Sequence, residues 1–268
     1  RGGLNGAYHS YAETEQELLR LERDYPAVLR LFRLGTSLEG RTIFALKISD
    51  RPALDEDEPE VLFLGCHHAR EWISVEVPLL FARHLAEHWA TDADVRRSLE
   101  EAEIWIVPLV NPDGLDYSIQ TYRWWRKNRR YNADGSFGVD LNRNYAYMWG
   151  ADDDGSSPAP SSEVYRGAGP FSEPETAVVR ELCRERSFLT VVSYHSYGQL
   201  ILYPWGWTDQ PSPRAALDRA LAVRMAELIR AVNGRDYAPE PASQLYLTNG
   251  DTVDYIGGTL GIPAFTVE

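Results

Sequence analysis

The chain has 268 residues, 44 % of them hydrophobic and 25 % charged, a composition that fits one globular domain with a substantial core and excludes long disorder. Its 27 basic and 40 acidic residues leave a net charge of −13, which argues against a general binder of nucleic acid or anionic membrane. The longest apolar runs, 61–66 and 104–110, are far too short to span a bilayer.

The predicted elements follow in chain order. Residues 14–25 read as a helix that buries Leu18, Leu19 and Leu21 and stops at Pro26. Strands are expected at 31–34, 42–48, 61–65 and 104–110, with Leu38-Glu39-Gly40-Arg41 as the turn of a first hairpin. Residues 75–89 carry Val75, Leu79, Leu80 and Leu85 at helical spacing. Ser172-Glu173-Pro174-Glu175 reads as a capping box that opens a helix to about residue 186. Strands at 189–194 and 200–203, a helix at 214–232 stopped by Asn233-Gly234, and a buried strand at 263–267 complete the chain. This alternation predicts an α/β fold, a sheet covered by helices on both faces, in a single domain over residues 1–268. Residues 114–171, rich in Gly, Ser, Asn, Asp, Arg and Trp, read as one long loop, and a loop of that length in a compact domain is usually functional.

Cys66 and Cys183 make neither a disulfide framework nor a four-thiolate zinc site, and one bridge or two reduced thiols both stay open. The opening Arg1-Gly2-Gly3-Leu4 lacks a signal-peptide pattern and reads as the start of a processed chain.

Two constellations compete for a metal. His68-Ala69-Arg70-Glu71 directly follows the strand at 61–65, so its histidine and glutamate can face one point. His195, at the end of the strand at 189–194, is the candidate third ligand. Two histidines and a glutamate leave a fourth position open, which is the arrangement of a catalytic zinc. The rival, His84-Leu85-Ala86-Glu87-His88, matches the inverted zinc-protease string, but no distal acidic ligand accompanies it and a solvated helix face explains it. Arg123, Arg126, Lys127, Arg129 and Arg130 with Trp124 and Trp125 could suggest nucleic acid; in so acidic a chain a local pocket for a carboxylate explains them better. Asp50, Asp55, Glu56, Asp57, Glu58 and Glu60 offer hard oxygen ligands for a structural Ca2+ ion, against the plainer reading of a solvated charge run.

Five ordered motifs resemble the zinc metallocarboxypeptidases of the carboxypeptidase A, B and T type, over a span from about Tyr8 to the last residue. They are Gly65-Cys66-His67-His68-Ala69-Arg70-Glu71-Trp72, Trp125-Arg126-Lys127-Asn128-Arg129, Gly138-Val139-Asp140-Leu141-Asn142-Arg143-Asn144, Ser193-Tyr194-His195-Ser196-Tyr197 and Phe265-Thr266-Val267-Glu268. Leu46-Lys47-Ile48-Ser49-Asp50 and Glu58-Pro59-Glu60-Val61 look most like the bacterial carboxypeptidase T branch. The resemblance implies a central mixed, mostly parallel twisted sheet, and Zn2+ held by His68, Glu71 and His195. Asp140 would orient His68. Glu268 would be general base and then proton donor, and Arg126 would stabilise the oxyanion.

By the same resemblance Asn142, Arg143 and Tyr246 would grip a free C-terminal carboxylate. A guanidinium–carboxylate contact of this kind is worth ~4 kcal/mol before desolvation. Arg70 and Tyr197 would line neighbouring subsites, and the Ser196–Tyr197 and Pro204–Trp205 bonds would be cis. Val253 at the floor of the side-chain pocket implies release of hydrophobic and aromatic residues. Asp251 nearby implies basic ones also, unless it merely caps a turn. Relatives use structural Ca2+ near the acidic loop, and they continue past the catalytic glutamate into a helix that this sequence lacks. The implied protein is a secreted monomer acting on peptide or protein C-termini, with no nucleic-acid or membrane partner. The alternatives are a zinc amidase on another small carboxylate-bearing amide, or a peptide-binding module with an impaired site.

Overall fold

The structure, a computed structural model, describes residues 8–268; the opening Arg1-Gly2-Gly3-Leu4 lies outside the described residues. Helix α1 (Tyr11–Asp24) begins earlier than its apolar spacing suggests because Ser10 and Glu13 form a reciprocal capping box. Leu18 and Leu21 are buried, but Leu19 is exposed, one step of about 100° off the apolar stripe. Strands β1 (Leu29–Thr36) and β2 (Thr42–Ile48) form the expected antiparallel hairpin, and Gly40 takes the positive φ that its turn requires.

Strand β3 (Glu60–Gly65) is followed by α2 (Ile73–His88), α3 (Ala93–Glu101) and β4 (Glu103–Val107). In α2, Val75, Leu79 and Leu85 are buried, whereas Leu80 faces solvent, contrary to expectation. Helix α4 (Pro112–Gln120) occupies the start of the stretch read as loop; Asn111 caps it by accepting from the Gly114 amide. Its Pro and Gly, which read as turn signals, fall in its first turn, where Pro is tolerated. Helix α5 (Pro174–Glu185) departs from the predicted capping box. Its N-cap is Glu173, which makes no side-chain cap bond, and the Ser172 hydroxyl instead donates to the Glu173 carboxylate and accepts from Asn144.

Strands β5 (Phe188–Tyr194) and β6 (Leu200–Tyr203), helix α6 (Ala215–Asn233) and strand β7 (Ala238–Pro241) follow. Gly234 ends α6 in the left-handed conformation. Helix α7 (Thr252–Tyr255) runs into a π-helical turn (Ile256–Leu260) before β8 (Ala264–Val267).

The eight strands lie in the order β1-β2-β4-β3-β5-β8-β6-β7. The pairs β3–β4, β3–β5, β5–β8 and β6–β7 are parallel, and β1–β2, β2–β4 and β6–β8 antiparallel, so the sheet is mixed and mostly parallel. Alternation along β4 divides the core between the faces. Ile104 and Ile106 join Leu18, Leu21, Val75 and Leu79 on one side, and Trp105 and Val107 join Val179, Leu182, Val253 and Ile256 on the other. Cys66 and Cys183 are buried, free and in different core clusters, so they form no bridge. Among the described residues, no helix is long and apolar enough to cross a membrane.

Candidate metal centre and its cleft

The register of the parallel strands assembles the site. Gly65 pairs with Tyr194, and Tyr194 with Val267, so the segments that leave β3, β5 and β8 emerge side by side at their carboxyl ends. Gly65 has to be glycine, since a Cβ there would lie 2.4 Å from the Ser74 carbonyl and 2.5 Å from that of Pro108. His68, His195 and Glu268 follow directly.

His68 Nδ1 lies 2.8 Å from Glu71 Oε1, His195 Nδ1 lies 3.0 Å from Glu71 Oε2, and the two Nδ1 atoms are 3.1 Å apart. All three side chains are buried. Burial pushes the Asp140 carboxyl up, but Arg126, His68 and Arg143 outweigh it and hold it well below the usual carboxylate range. Asp140 is therefore an acceptor, and His68 Nε2, 3.1 Å from Asp140 Oδ1, must be the N–H. That leaves the His68 Nδ1 lone pair facing the Glu71 carboxylate and His195. Two imidazole nitrogens and a carboxylate that converge, with the outer ring nitrogen of His68 fixed by an acid, fit a divalent cation.

Arg126 is buried beside this group. Its Nε and Nη2 each lie 3.0 Å from Asp140 Oδ2 and its Nη1 is 3.9 Å from Glu71. Burial raises the Glu268 carboxyl above its ordinary range, with Glu71 adding to the effect against the opposing pull of His195, His68 and Arg126. Arg70, Arg126, Arg143 and Tyr246 share the wall of a cavity of about 370 Å³. The Arg143 guanidinium is held by the Gly155 and Asn142 carbonyls through Nε and Nη1, and it sits 5.8 Å from the Tyr246 ring centroid. A second cavity of about 410 Å³ contains His195, Ser196, Tyr197 and Glu268, with Tyr197 almost wholly exposed. The Ser196–Tyr197 and Pro204–Trp205 bonds are both cis.

A family model described as zinc carboxypeptidase matches residues 14–268. The chain belongs to the zinc carboxypeptidase family. It is 38 % identical to a zinc carboxypeptidase of Saccharothrix mutabilis subsp. capreolus over 97 % of this chain and 61 % of that protein. It is 34 % identical to the carboxypeptidase B of Astacus astacus, over 98 % of this chain and 86 % of that one. Among solved structures, the carboxypeptidase A of Helicoverpa armigera superposes with a TM-score of 0.88 at 32 % identity, covering 97 % of this chain and 64 % of that one. The chain spans about six tenths of the length of the Saccharothrix and Trichophyton relatives it matches.

Set against the family's pattern, the remaining predicted residues fall in distinct places. Val253 is buried in the core cluster that includes Tyr145, Tyr255 and Ile256. Asp251 is buried too: it caps α7 by accepting from the Asp254 amide and takes the Thr248 hydroxyl, so its oxygens are already engaged. Most of the basic cluster is internal. Arg129 lies over Tyr117, Arg130 pairs with Glu173, and Lys127 donates to the Pro160 and Ser162 carbonyls. The rival pair His84 and His88 is exposed, His88 Nδ1 contacts the His84 carbonyl, and among the described residues no third potential ligand joins them.

In the acidic loop, oxygens of Asp50, Glu56 and Glu58 lie within 4.8 Å of one another, and Asp50 Oδ1, Glu56 Oε2 and Glu58 Oε2 are buried without a hydrogen-bond partner. Sequence reasoning passed over His67, which is fully buried behind the metal group and contacts Ser193, Tyr145 and Thr252. Its doubled-histidine string was visible, but no spacing rule assigns the first of two adjacent histidines to the interior.

Proposed function

We propose that the protein is a zinc-dependent exopeptidase that hydrolyses the C-terminal peptide bond of peptides. The observation that carries this reading is the convergence of His68, Glu71 and His195 beside Arg126 and Glu268, next to the cavity that holds Arg143 and Tyr246. His68, Glu71 and His195 would hold the ion, which when bound supplies Lewis-acid polarisation of the scissile carbonyl.

The chain's own groups do the rest. Glu268, with its raised carboxyl, takes a proton from the attacking water and returns it to the leaving amine. Arg126, anchored to Asp140 by its Nε edge, donates to the carbonyl oxygen as negative charge develops there. Arg143 Nη2 has no partner among the described residues, so it is free, with Asn142 and Tyr246, to bind the substrate's terminal carboxylate. Arg70 and Tyr197 line neighbouring subsites.

Preference for hydrophobic and aromatic side chains rests on the resemblance at Val253, which is itself buried in the core cluster and lines neither of the two cavities. Both Asp251 oxygens are engaged by Thr248 and the α7 backbone, which favours the plainer reading of a cap, so release of basic residues as a second choice rests on the resemblance alone. One unpartnered oxygen on each of Asp50, Glu56 and Glu58 supports a structural Ca2+ ion there, against the ion pairs that Arg51 makes with Asp50 and Glu56. An extracellular setting rests on kinship alone.

The test is mass spectrometry of peptides ending in Phe, Leu, Arg or Glu, each with a free or an amidated C-terminus. Loss of single terminal residues from free C-termini only, abolished by a chelator, is the expected result. Cleavage of amidated peptides would favour a general amidase, and zinc-loaded protein that leaves every peptide intact would favour a binding module.

A further inference from the structure

The Arg143 guanidinium is held by a loop that closes on itself. Arg143 opens the stretch 143–156, and near its end the Gly155 carbonyl accepts from Arg143 Nε at 2.8 Å. Between the two limbs of this loop sits Asn249-Gly250, three residues after Tyr246. On the outgoing limb, the Tyr145 amide donates to the Gly250 carbonyl at 2.9 Å, and the Gly250 amide donates to that of Tyr147 at 3.2 Å. Gly250 has a φ of 73°, and a Cβ there would lie 2.6 Å from the Arg143 carbonyl oxygen. On the returning limb, Asn249 Nδ2 lies 2.7 Å from Asp152 Oδ1, and Asn249 Oδ1 contacts the Ser156 hydroxyl. Gly155 lies flush against the same segment, since a Cβ there would come within 2.7 Å of the Thr248 carbonyl carbon and 2.8 Å of the Asn249 amide nitrogen.

Groups that can only donate fix the direction of these bonds. Asp152 Oδ1 accepts from the Asp154 and Gly155 amides at 3.0 and 3.1 Å, so it is an acceptor and the Asn249 atom facing it is the NH2. Ser156 Oγ accepts from Arg166 Nη1 at 3.2 Å, and a guanidinium has no lone pair to offer in return, so the serine hydrogen goes to Asn249 Oδ1. Asn249 and Ser156 are both buried, so a lost bond leaves a polar group that water does not replace. Asn249 thus grips the Asp152 oxygen that holds the Gly155 amide, and the carbonyl of the same Gly155 holds Arg143 Nε. With Nη1 also bonded, to the Asn142 carbonyl at 2.7 Å, the planar guanidinium has its orientation set.

We propose that Asn249 is a positioning residue for the substrate's terminal carboxylate: it pins the turn at 152–155, so that the Gly155 carbonyl aims Arg143 into the cavity it shares with Tyr246. The inference rests on the reading of Arg143 as the carboxylate's partner. It adds the residue that sets the guanidinium and the Tyr246 segment in one frame, across about a hundred residues of sequence.

Three variants of the whole chain test it. Each is read by KM and kcat for a peptide with a free C-terminal Phe, and by calorimetric binding of N-acetylphenylalanine as a carboxylate probe. Zinc affinity from chelator competition and thermal unfolding complete the set. Asn249→Ala removes the pin and should raise KM and weaken the probe ~3–10-fold, on the order of one lost hydrogen bond, with kcat and zinc affinity at wild-type values. Asn249→Asp keeps the shape but sets a second acceptor against Asp152 Oδ1, and should raise KM at least as much as the alanine. Gly155→Ala forces the turn off the Thr248–Asn249 backbone and should raise KM with Asn249 intact. Lower thermal stability with KM and probe binding at wild-type values is what a merely structural role would give, and it overturns the proposal. A fall in zinc affinity alongside the change in KM also overturns it. If Gly155→Ala does not fold, the Asn249 variants decide: wild-type KM in either overturns the proposal. The underlying reading fails separately, if Arg143→Ala binds the probe with wild-type affinity.

Discussion

The parallel core of the sheet has a group of acidic or histidine side chains at each end of its strands, and both groups bring three potential ligands within 4.8 Å of one another. At the carboxyl ends stand His68, Glu71 and His195. Toward the amino ends stand Asp55, Glu60 and Glu103, with Glu60 opening β3 and Glu103 opening β4. The difference lies in what neutralises them. Arg186 reaches all three acids of the second group, Lys47 bonds Glu103, and the Ser187 and Glu56 amides donate to Glu60 and Glu103. Among the described residues the first group has only one cation near it, Arg126, 3.9 Å from Glu71 and anchored on Asp140. Geometry alone therefore does not mark a metal site. A group whose cations come from its own chain is a structural clasp, and one whose donors converge on each other is built to receive an ion.

The comparison breaks most sharply at the histidines. His195→Ala should abolish stoichiometric zinc binding and lower peptide hydrolysis by on the order of 10³-fold or more, the several kcal/mol a Lewis-acid metal contributes. Inductively coupled plasma analysis and initial rates check both. At the other end of the strands, Glu103→Gln should leave zinc content and hydrolysis near wild type, but cost about 3–5 kcal/mol of stability by leaving Lys47 buried without its charge partner. Urea unfolding reads that loss. Zinc loss in Glu103→Gln with an unchanged urea midpoint would reverse the assignment of the two groups.

A smaller effect sharpens the role of Asp140. Asp140→Asn keeps the shape but cannot demand a hydrogen from His68 Nε2, so zinc affinity should fall ~10–100-fold. The raised carboxyl of Glu268 gives the pH dependence its sign. The group must be ionised to act as base, so kcat/KM should fall with acid along a limb that lies above the ordinary glutamate value of about 4.3. A limb at or below that value would exclude Glu268 as the base.

Much of this was legible in the sequence because it depends on local pattern. The alternation of strands and helices, the turn glycine Gly40 and the helix stop at Gly234 each follow from spacing or from a backbone conformation only some residues adopt. The convergence of His68, Glu71 and His195 was legible for a related reason: His68 and Glu71 are close in sequence, and His195 sits at the end of an apolar strand. What escaped was set by partners distant in sequence. Ser172 does not cap α5, since Asn144 holds it elsewhere. Leu19 and Leu80 are apolar, but the sheet covers only one stripe of each helix. Arg129 and Arg130 look like ligand-binding groups in a string of cations, and only the fold shows Tyr117 and Glu173 beneath them. His67 belongs to the same class, since its contacts with Tyr145, Ser193 and Thr252 span 78, 126 and 185 residues.

The smallest expected effect comes from a histidine–carboxylate pair that lacks a third donor. His9 Nδ1 lies 2.8 Å from Glu76 Oε2, in the first turn of α2, and the Glu76 bond raises the His9 pKa against the opposing effect of burial. A histidine whose folded pKa is raised stabilises the fold below its unfolded value of about 6.5, and the contribution is lost as pH rises through the folded value. His9→Ala should therefore cost stability at pH 5.5, and the cost should shrink toward pH 8.5. With the His9 side chain 24 % exposed, the expected size is under about 1 kcal/mol. Zinc content should not change at either pH. If the cost grew with pH, the contact would stabilise without its charge. If zinc were lost, the N-terminal segment would be coupled to the metal group through α2, and a histidine–carboxylate contact would no longer separate a clasp from a ligand set.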